Sequence, residues 1–379
     1  MTKRLVAGLI LLLSFAGGVQ AVDENPVIAI LRWSDGGMQN RVLDGLFDLL
    51  VDYGLVGEQE LLMAVPGEDF QGEHITILWR DAGRDITLAN AMIEEVLDEG
   101  AEILVTMMTI VSELAVKITA ESGIEPTPLV IFSLVSAPYF SDIAASPCDK
   151  PDHVVGTHSV QVYEEIMELL PLLDLDIQRV GTYVIDALPN SVYSADQLAA
   201  QGQIHGYMTE IQPVVRMTDI AIATDLLLDN GADLIIVGAE CDEMASSTSV
   251  IMEAASASGV PVMGLVPAYA SLGVQIGAGF DAHYREGVVQ GQLLVAALEG
   301  RLDAANIRIH SLPSTGVALN LDTLEATGIE APTGLLDIAD WLVINGESTQ
   351  QHVKPPLTGF SIEERRAIDE AFIDSLACS

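Results

Sequence analysis

A set of short polar side chains stands where apolar runs end, which is where a small molecule can be gripped. Ser34 and Asp35 follow "AILRW", Thr106 and Thr109 follow "EILV", and Ser133 and Ser136 follow "PLVIF". Further on, Asn190 and Ser191 follow "GTYVIDALP", and Glu240 and Asp242 follow "LIIVGA". Hydroxyls, an amide and carboxylates at such positions can hold a polar solute, and the N–H groups of the helices that follow can take its carboxylate. Each residue taken alone could equally serve as a helix cap, because Ser, Asn and Asp commonly do so.

Signatures of covalent chemistry are sparse. The chain has no G-x-S-x-G elbow, no Walker loop and no H-E-x-x-H helix. "GAGFD" at 277–281 lacks the full spacing of a dinucleotide loop and reads as a turn. His153 and His158 are five positions apart in a strand-like piece, which sends them to opposite faces and makes a poor chelating pair. The expectation is a binding protein with no catalytic residues, no metal and no cofactor.

The elements that must position these residues alternate strand and helix. Buried strands are expected at "PVIAIL", "ITILW", "EILVT", "PLVIF", "RVGTYVI", "PVVRM", "DLIIVG" and "PVMGL". Between them lie amphipathic helices such as "NRVLDGLFDLLVDYG", closed by Gly54, and "DITLANAMIEEVLDEG", capped by Asp85 and ended by Gly100. Near-continuous apolar strands alternating with helices argue for parallel sheets covered on both faces. There are too many units for one sheet, so two α/β lobes are expected with a cleft between them. The polar, proline-rich break between Ser136 and Val154 reads as the first crossover, with others near "IGAGFDAHYREG" and "HSLPSTG". This divides the chain into lobe 1 at 22–140 plus about 282–312, lobe 2 at 150–281 plus about 313–345, and a tail from 346 to 379. In the tail, Ser361 and Glu364 form a capping box for the helix "IEERRAIDEAFIDSL".

The N-terminus has Lys3 and Arg4, an apolar run too short to span a bilayer, and small residues at Val19 and Ala21. That is the pattern of a cleavable signal peptide at 1–21, and implies export. With 16 basic against 55 acidic residues the net charge is −39, a field that repels nucleic acid and anionic membranes. Cys148, Cys241 and Cys378 allow one disulfide, but their spacing does not say which pair forms it.

Several blocks in order resemble the exported solute-binding proteins of ABC-type uptake systems, the tryptophan- and tyrosine-type group. They are "PLVIFSLVSAP", "HVVGTHSVQVYEEIMELLPLL", "RVGTYVIDALPNS", "GAGFDAHYREGVVQGQLLVAALEGR" and "ALNLDTLEATGIEAP", spread over roughly 26–344. The resemblance implies a type I periplasmic-binding-protein fold with two Rossmann-like lobes and a three-strand hinge. It also implies a monomer in the periplasm that delivers a small polar ligand, amino-acid-like or a carboxylate, to an ABC permease. The alternative partner is a membrane sensor kinase, which the acidic tail beyond the familiar blocks favours. By position, Ser34, Asp35, Thr106, Thr109, Asn190 and Ser191 become ligand contacts, with Trp33 as an apolar wall. Two departures bear on specificity: Ala137 stands where the family has an Asp before proline, and Glu240 where it has an Asp.

Overall fold

The structure, a computed structural model, describes residues 25–61, 67–238, 242–351 and 355–378. The expected signal peptide and the candidate Glu240 lie outside the described residues, as does Cys241.

Two mixed, mostly parallel sheets form the two lobes. The first runs in the order His310–Pro313, Val154–Val160, Leu129–Val135, Ile103–Met107, Val27–Arg32, Thr76–Asp81, Phe70–Gln71. The second runs Glu347–Gln350, Trp341–Ile344, Gly316–Asn320, Ile276–Gly279, Val262–Gly264, Leu234–Val237, Arg179–Val184, Met208–Pro213. Interior strands such as Ile103–Met107 and Leu234–Val237 are buried along their whole length, because helices cover both faces. On the first sheet, helices Gly37–Asp52 and His283–Leu298 pack into one apolar layer, and Ile86–Asp98 and Thr109–Glu121 into the other.

Helix ends follow their local chemistry. Asp85 accepts hydrogen bonds from the N–H groups of Thr87 and Leu88, and Ser361 with Glu364 makes the expected capping box. Helices Gly37–Asp52 and His283–Leu298 touch backbone to backbone through glycines. A Cβ on Gly287 would lie 1.8 Å from the Val42 carbonyl oxygen, and one on Gly45 would lie 2.1 Å from that of Tyr284. Only glycine permits so close an approach.

The first crossing differs from the sequence reading. Strand Val154–Val160 pairs in parallel with Leu129–Val135, so the polar stretch 137–153 is an excursion that returns to the same sheet. The chain first leaves for the second lobe at 161–162, crosses back at 280–282, and crosses a third time at 314–315. Loss of apolar cadence marks where a chain leaves a sheet and carries no information about which sheet it rejoins. The strand expected at "PVVRM" is likewise displaced to Met208–Pro213. It is an edge strand with a single neighbour and no fully buried residue, so it lacks the apolar signature.

The tail is integrated into both lobes. Glu347–Gln350 forms the edge of the second sheet, whereas helix Ile362–Ser375 packs against His283–Leu298 of the first lobe. There Arg365 and Asp369, 2 % and 1 % exposed, form a buried ion pair. Asp369 also accepts hydrogen bonds from Tyr53 Oη at 2.8 Å and Gln292 Nε2 at 2.6 Å. Cys378 is joined to Cys148 by a disulfide with 6.0 Å between Cα atoms. Among the described residues no helix is long and apolar enough to cross a membrane.

Candidate functional site

A cleft between the two sheets encloses about 540 Å³ of atom-free space, its open mouth included. Its walls are built at the crossings. Ser159 and Gln161 come from the end of the first crossing strand, Tyr163 from the helix beyond it, and Phe280 and His283 from the second crossing. The first lobe adds Met38, Met108, Leu134 and Ser136; the second adds Asn190, Ser194, Leu265 and Val266.

Two of these wall residues are conformationally unusual. Met108 has φ 75° and Leu134 has φ 54°, left-handed values that residues with a side chain rarely adopt. Such strain persists where the surroundings hold it, commonly at ligand sites. Met108 precedes helix Thr109–Glu121 and Leu188 precedes helix Pro189–His205, and neither start is capped by its own side chain. The two helices therefore bring partial positive charge toward the cleft, one from each lobe.

The polar atoms of the wall are incompletely satisfied by the protein. Gln161 Oε1 accepts from Phe280 N at 2.9 Å, but its Nε2 has no partner. Ser194 Oγ is also buried without one. Buried polar atoms are nearly always paired, so such orphans at a cleft mark groups available to a ligand. Among the described lining residues His283 is the sole ionisable side chain apart from Tyr163, and burial drives its pKa down to about 4, which keeps it neutral. Behind Ser159 lies Glu286, 0 % exposed, whose carboxyl is raised by burial to about 8. Ser159 Oγ donates to Glu286 Oε1 at 2.5 Å, and Leu134 N donates to the same oxygen at 3.3 Å. Oε2 has no partner.

Of the residues selected from sequence, Ser136 and Asn190 line this cleft. The other described candidates are not among its lining residues. Trp33 is 6 % exposed and packs into the first lobe's apolar layer with Leu78 and Ala82. Gln39 braces the loop that follows, accepting from Trp33 N at 3.0 Å and donating to Ser34 Oγ at 3.1 Å. Asp35 is 74 % exposed in its side chain and pairs with Arg32 at 3.2 Å. The Asn40 amide, then Arg32, hold its carboxyl below the usual range. Thr106 is fully buried and hydrogen-bonds Ser112 at 2.9 Å, while Thr109 and Ser133 are buried with unpartnered hydroxyls. Ser191 Oγ accepts from Ile185 N at 3.0 Å and closes its own turn. Asp242 opens the short helix Asp242–Ser246. The wall residues that sequence did not select sit on the crossings. "GAGFDAHYREG" was legible as a crossover, and its Phe280 and His283 were the available signal.

Two sheets of α/β architecture, three crossings and a lined cleft between them define a bilobal binding protein of the type I periplasmic-binding-protein fold. A model of the ABC transporter substrate binding protein family matches residues 63–343, three quarters of the chain. The chain belongs to that family. Among solved structures it is similar to a conserved domain protein of Vibrio cholerae, at 19% identity and a TM-score of 0.73, covering 85% of this chain and 100% of that one. An ABC domain from Streptococcus pneumoniae in complex with L-Trp is similar at 18% identity and a TM-score of 0.72, covering 84% and 100%. The ligand-free, open form of a Clostridium difficile substrate-binding protein with adhesive properties gives 17%, a TM-score of 0.60, and coverage of 81% and 96%. At these identities the structures speak for the fold. A search of curated proteins finds no match.

Proposed function

We propose that this protein captures a small organic solute in its interlobe cleft and delivers it to an ABC permease in the membrane. The observation that carries this reading is the cleft wall drawn from both lobes and two crossings, with Gln161 Nε2 and Ser194 Oγ buried and unpartnered. Met38, Met108, Leu134, Leu265, Val266 and Phe280 favour an apolar body on the ligand. The two uncapped helix starts favour a carboxylate or similar polar end. An amino-acid-like solute or an organic acid with an apolar side chain meets both demands. Contacts to both lobes bias an open–closed equilibrium toward closure, which is how capture couples to recognition by a partner.

Export to the periplasm agrees with the N-terminal charge and hydropathy pattern and with the Cys148–Cys378 disulfide, a bond that persists in oxidising compartments. The proposed working form is a monomer.

The test is titration of the mature protein with amino acids, aromatic acids and aliphatic carboxylates, followed by calorimetry and small-angle scattering. Saturable binding with a fall in radius of gyration is expected for one of these classes. Absence of binding and of thermal shift across all of them would refute the reading.

A further inference from the structure

Glu286 is the one buried carboxyl beside the cleft among the described residues, and capture of a solute as proposed above does not by itself require it. It stands in the first turn of helix His283–Leu298, behind the wall and outside the lining. Its Oε1 receives two hydrogen bonds, from the Ser159 hydroxyl and from the Leu134 N–H, and both of those residues line the cleft. The Leu134 N–H holds Oε1 as an accepting oxygen. With the carboxyl ionised, or neutral with its proton on Oε2, Ser159 is the donor toward Glu286. A hydroxyl has one hydrogen and two lone pairs. With the hydrogen committed inward, Ser159 can offer only lone pairs to whatever occupies the cleft.

We infer that Glu286 is a positioning residue that fixes Ser159 as a hydrogen-bond acceptor, so that the site selects solutes carrying an N–H or O–H donor at that point. The inference rests on the solute-capture reading. It adds the chemical class: an apolar body with a donor group, distinguished from the same body without one. A donor-lacking analogue leaves the buried Ser159 oxygen unpaired, and the mismatch costs about tenfold or more in affinity.

Matched pairs differing by one donor provide the test: L-tryptophan against indole-3-propionate, L-leucine against 4-methylpentanoate, and 4-hydroxybenzoate against benzoate. Affinities are measured by calorimetry for wild type, Ser159→Ala, Glu286→Met and Glu286→Gln, with a thermal melt for each protein. In wild type the donor-bearing member of a bound pair is expected to bind at least about tenfold tighter. Ser159→Ala and Glu286→Met should reduce that ratio to within about twofold, the first by removing the acceptor and the second by freeing the hydroxyl to rotate. Glu286→Gln keeps an oxygen for both Ser159 and Leu134 and should restore the ratio. A merely structural role for Glu286 would alter melting temperature and leave the ratio in place. If Glu286→Met fails to fold, Ser159→Ala and Glu286→Gln still decide. An unchanged ratio in Ser159→Ala, or preference of wild type for the donor-lacking member, overturns the inference while solute capture stands. Binding of no member of any pair, with none in the wider titration, overturns solute capture and this inference with it.

Discussion

Replacing Glu286 with Gln should flatten the pH dependence of stability over one defined window. In the folded protein burial lifts this carboxyl from 4.5 to about 8, with the Ser159 and Leu134 hydrogen bonds opposing the shift. In the unfolded chain it titrates at its ordinary value. Between those two values the folded state holds a proton that the unfolded state has released. Stability therefore falls as pH rises from about 4.5, and levels off above about 8. Each pKa unit is worth about 1.4 kcal/mol, so the full shift corresponds to about 3–5 kcal/mol after allowing for relaxation around the charged form. Glutamine has the same shape and no titration, and removes this contribution alone. Urea unfolding of wild type and variant at intervals from pH 4.5 to 9 isolates it, because every other titrating group is common to both. The difference in unfolding free energy should shift toward the variant by about 3–5 kcal/mol from the acid to the alkaline end. Parallel profiles would refute the premise that Glu286 is buried and neutral in the native state.

Other substitutions probe separate parts of the structure. Gly287→Ala places a methyl group against the Val42 carbonyl oxygen and should cost about 1–3 kcal/mol or more by forcing the two helices apart, measurable by denaturant unfolding. Asp369→Ala leaves Arg365 buried without its counter-ion and should destabilise by about 3–5 kcal/mol, with faster limited proteolysis of the C-terminal helix as the local readout. Asp35→Asn should leave the affinity for any bound probe within about twofold, because Asp35 is an exposed partner of Arg32 and does not line the cleft. His283→Gln should remove an acid-side loss of stability. The native imidazole titrates at about 4 against an ordinary 6.5, so wild type is destabilised as pH falls through that interval and the variant is not.

Much of the architecture was legible because it is written locally. Asp85, Gly54 and the Ser361–Glu364 pair are instructions to the backbone within a few residues, and the buried strands carry unbroken apolar runs. The family resemblance drew on the same blocks. The candidate site was less legible for a physical reason. Strand-end hydroxyls such as Thr106 and Ser191 found partners inside their own lobe, and the cleft wall was left to residues on the crossings. Ser159, Gln161 and His283 obey no periodicity, and their meaning depends on which sheet the chain enters next. The tail shows the same limit. Arg365 and Asp369 are four apart on a helix, a spacing that does not tell whether the pair is buried; docking against Tyr53 and Gln292 buries it.

The bond between Cys148 and Cys378 spans 230 positions. Everything between them, including the whole second sheet and every passage of the chain between the lobes, is thereby a closed ring hung from the first lobe. A single peptide cut anywhere in that ring releases no fragment until the disulfide is reduced. A nicked molecule should thus migrate intact on a non-reducing gel and separate into two pieces with reductant. One cleavage would leave both lobes attached to each other.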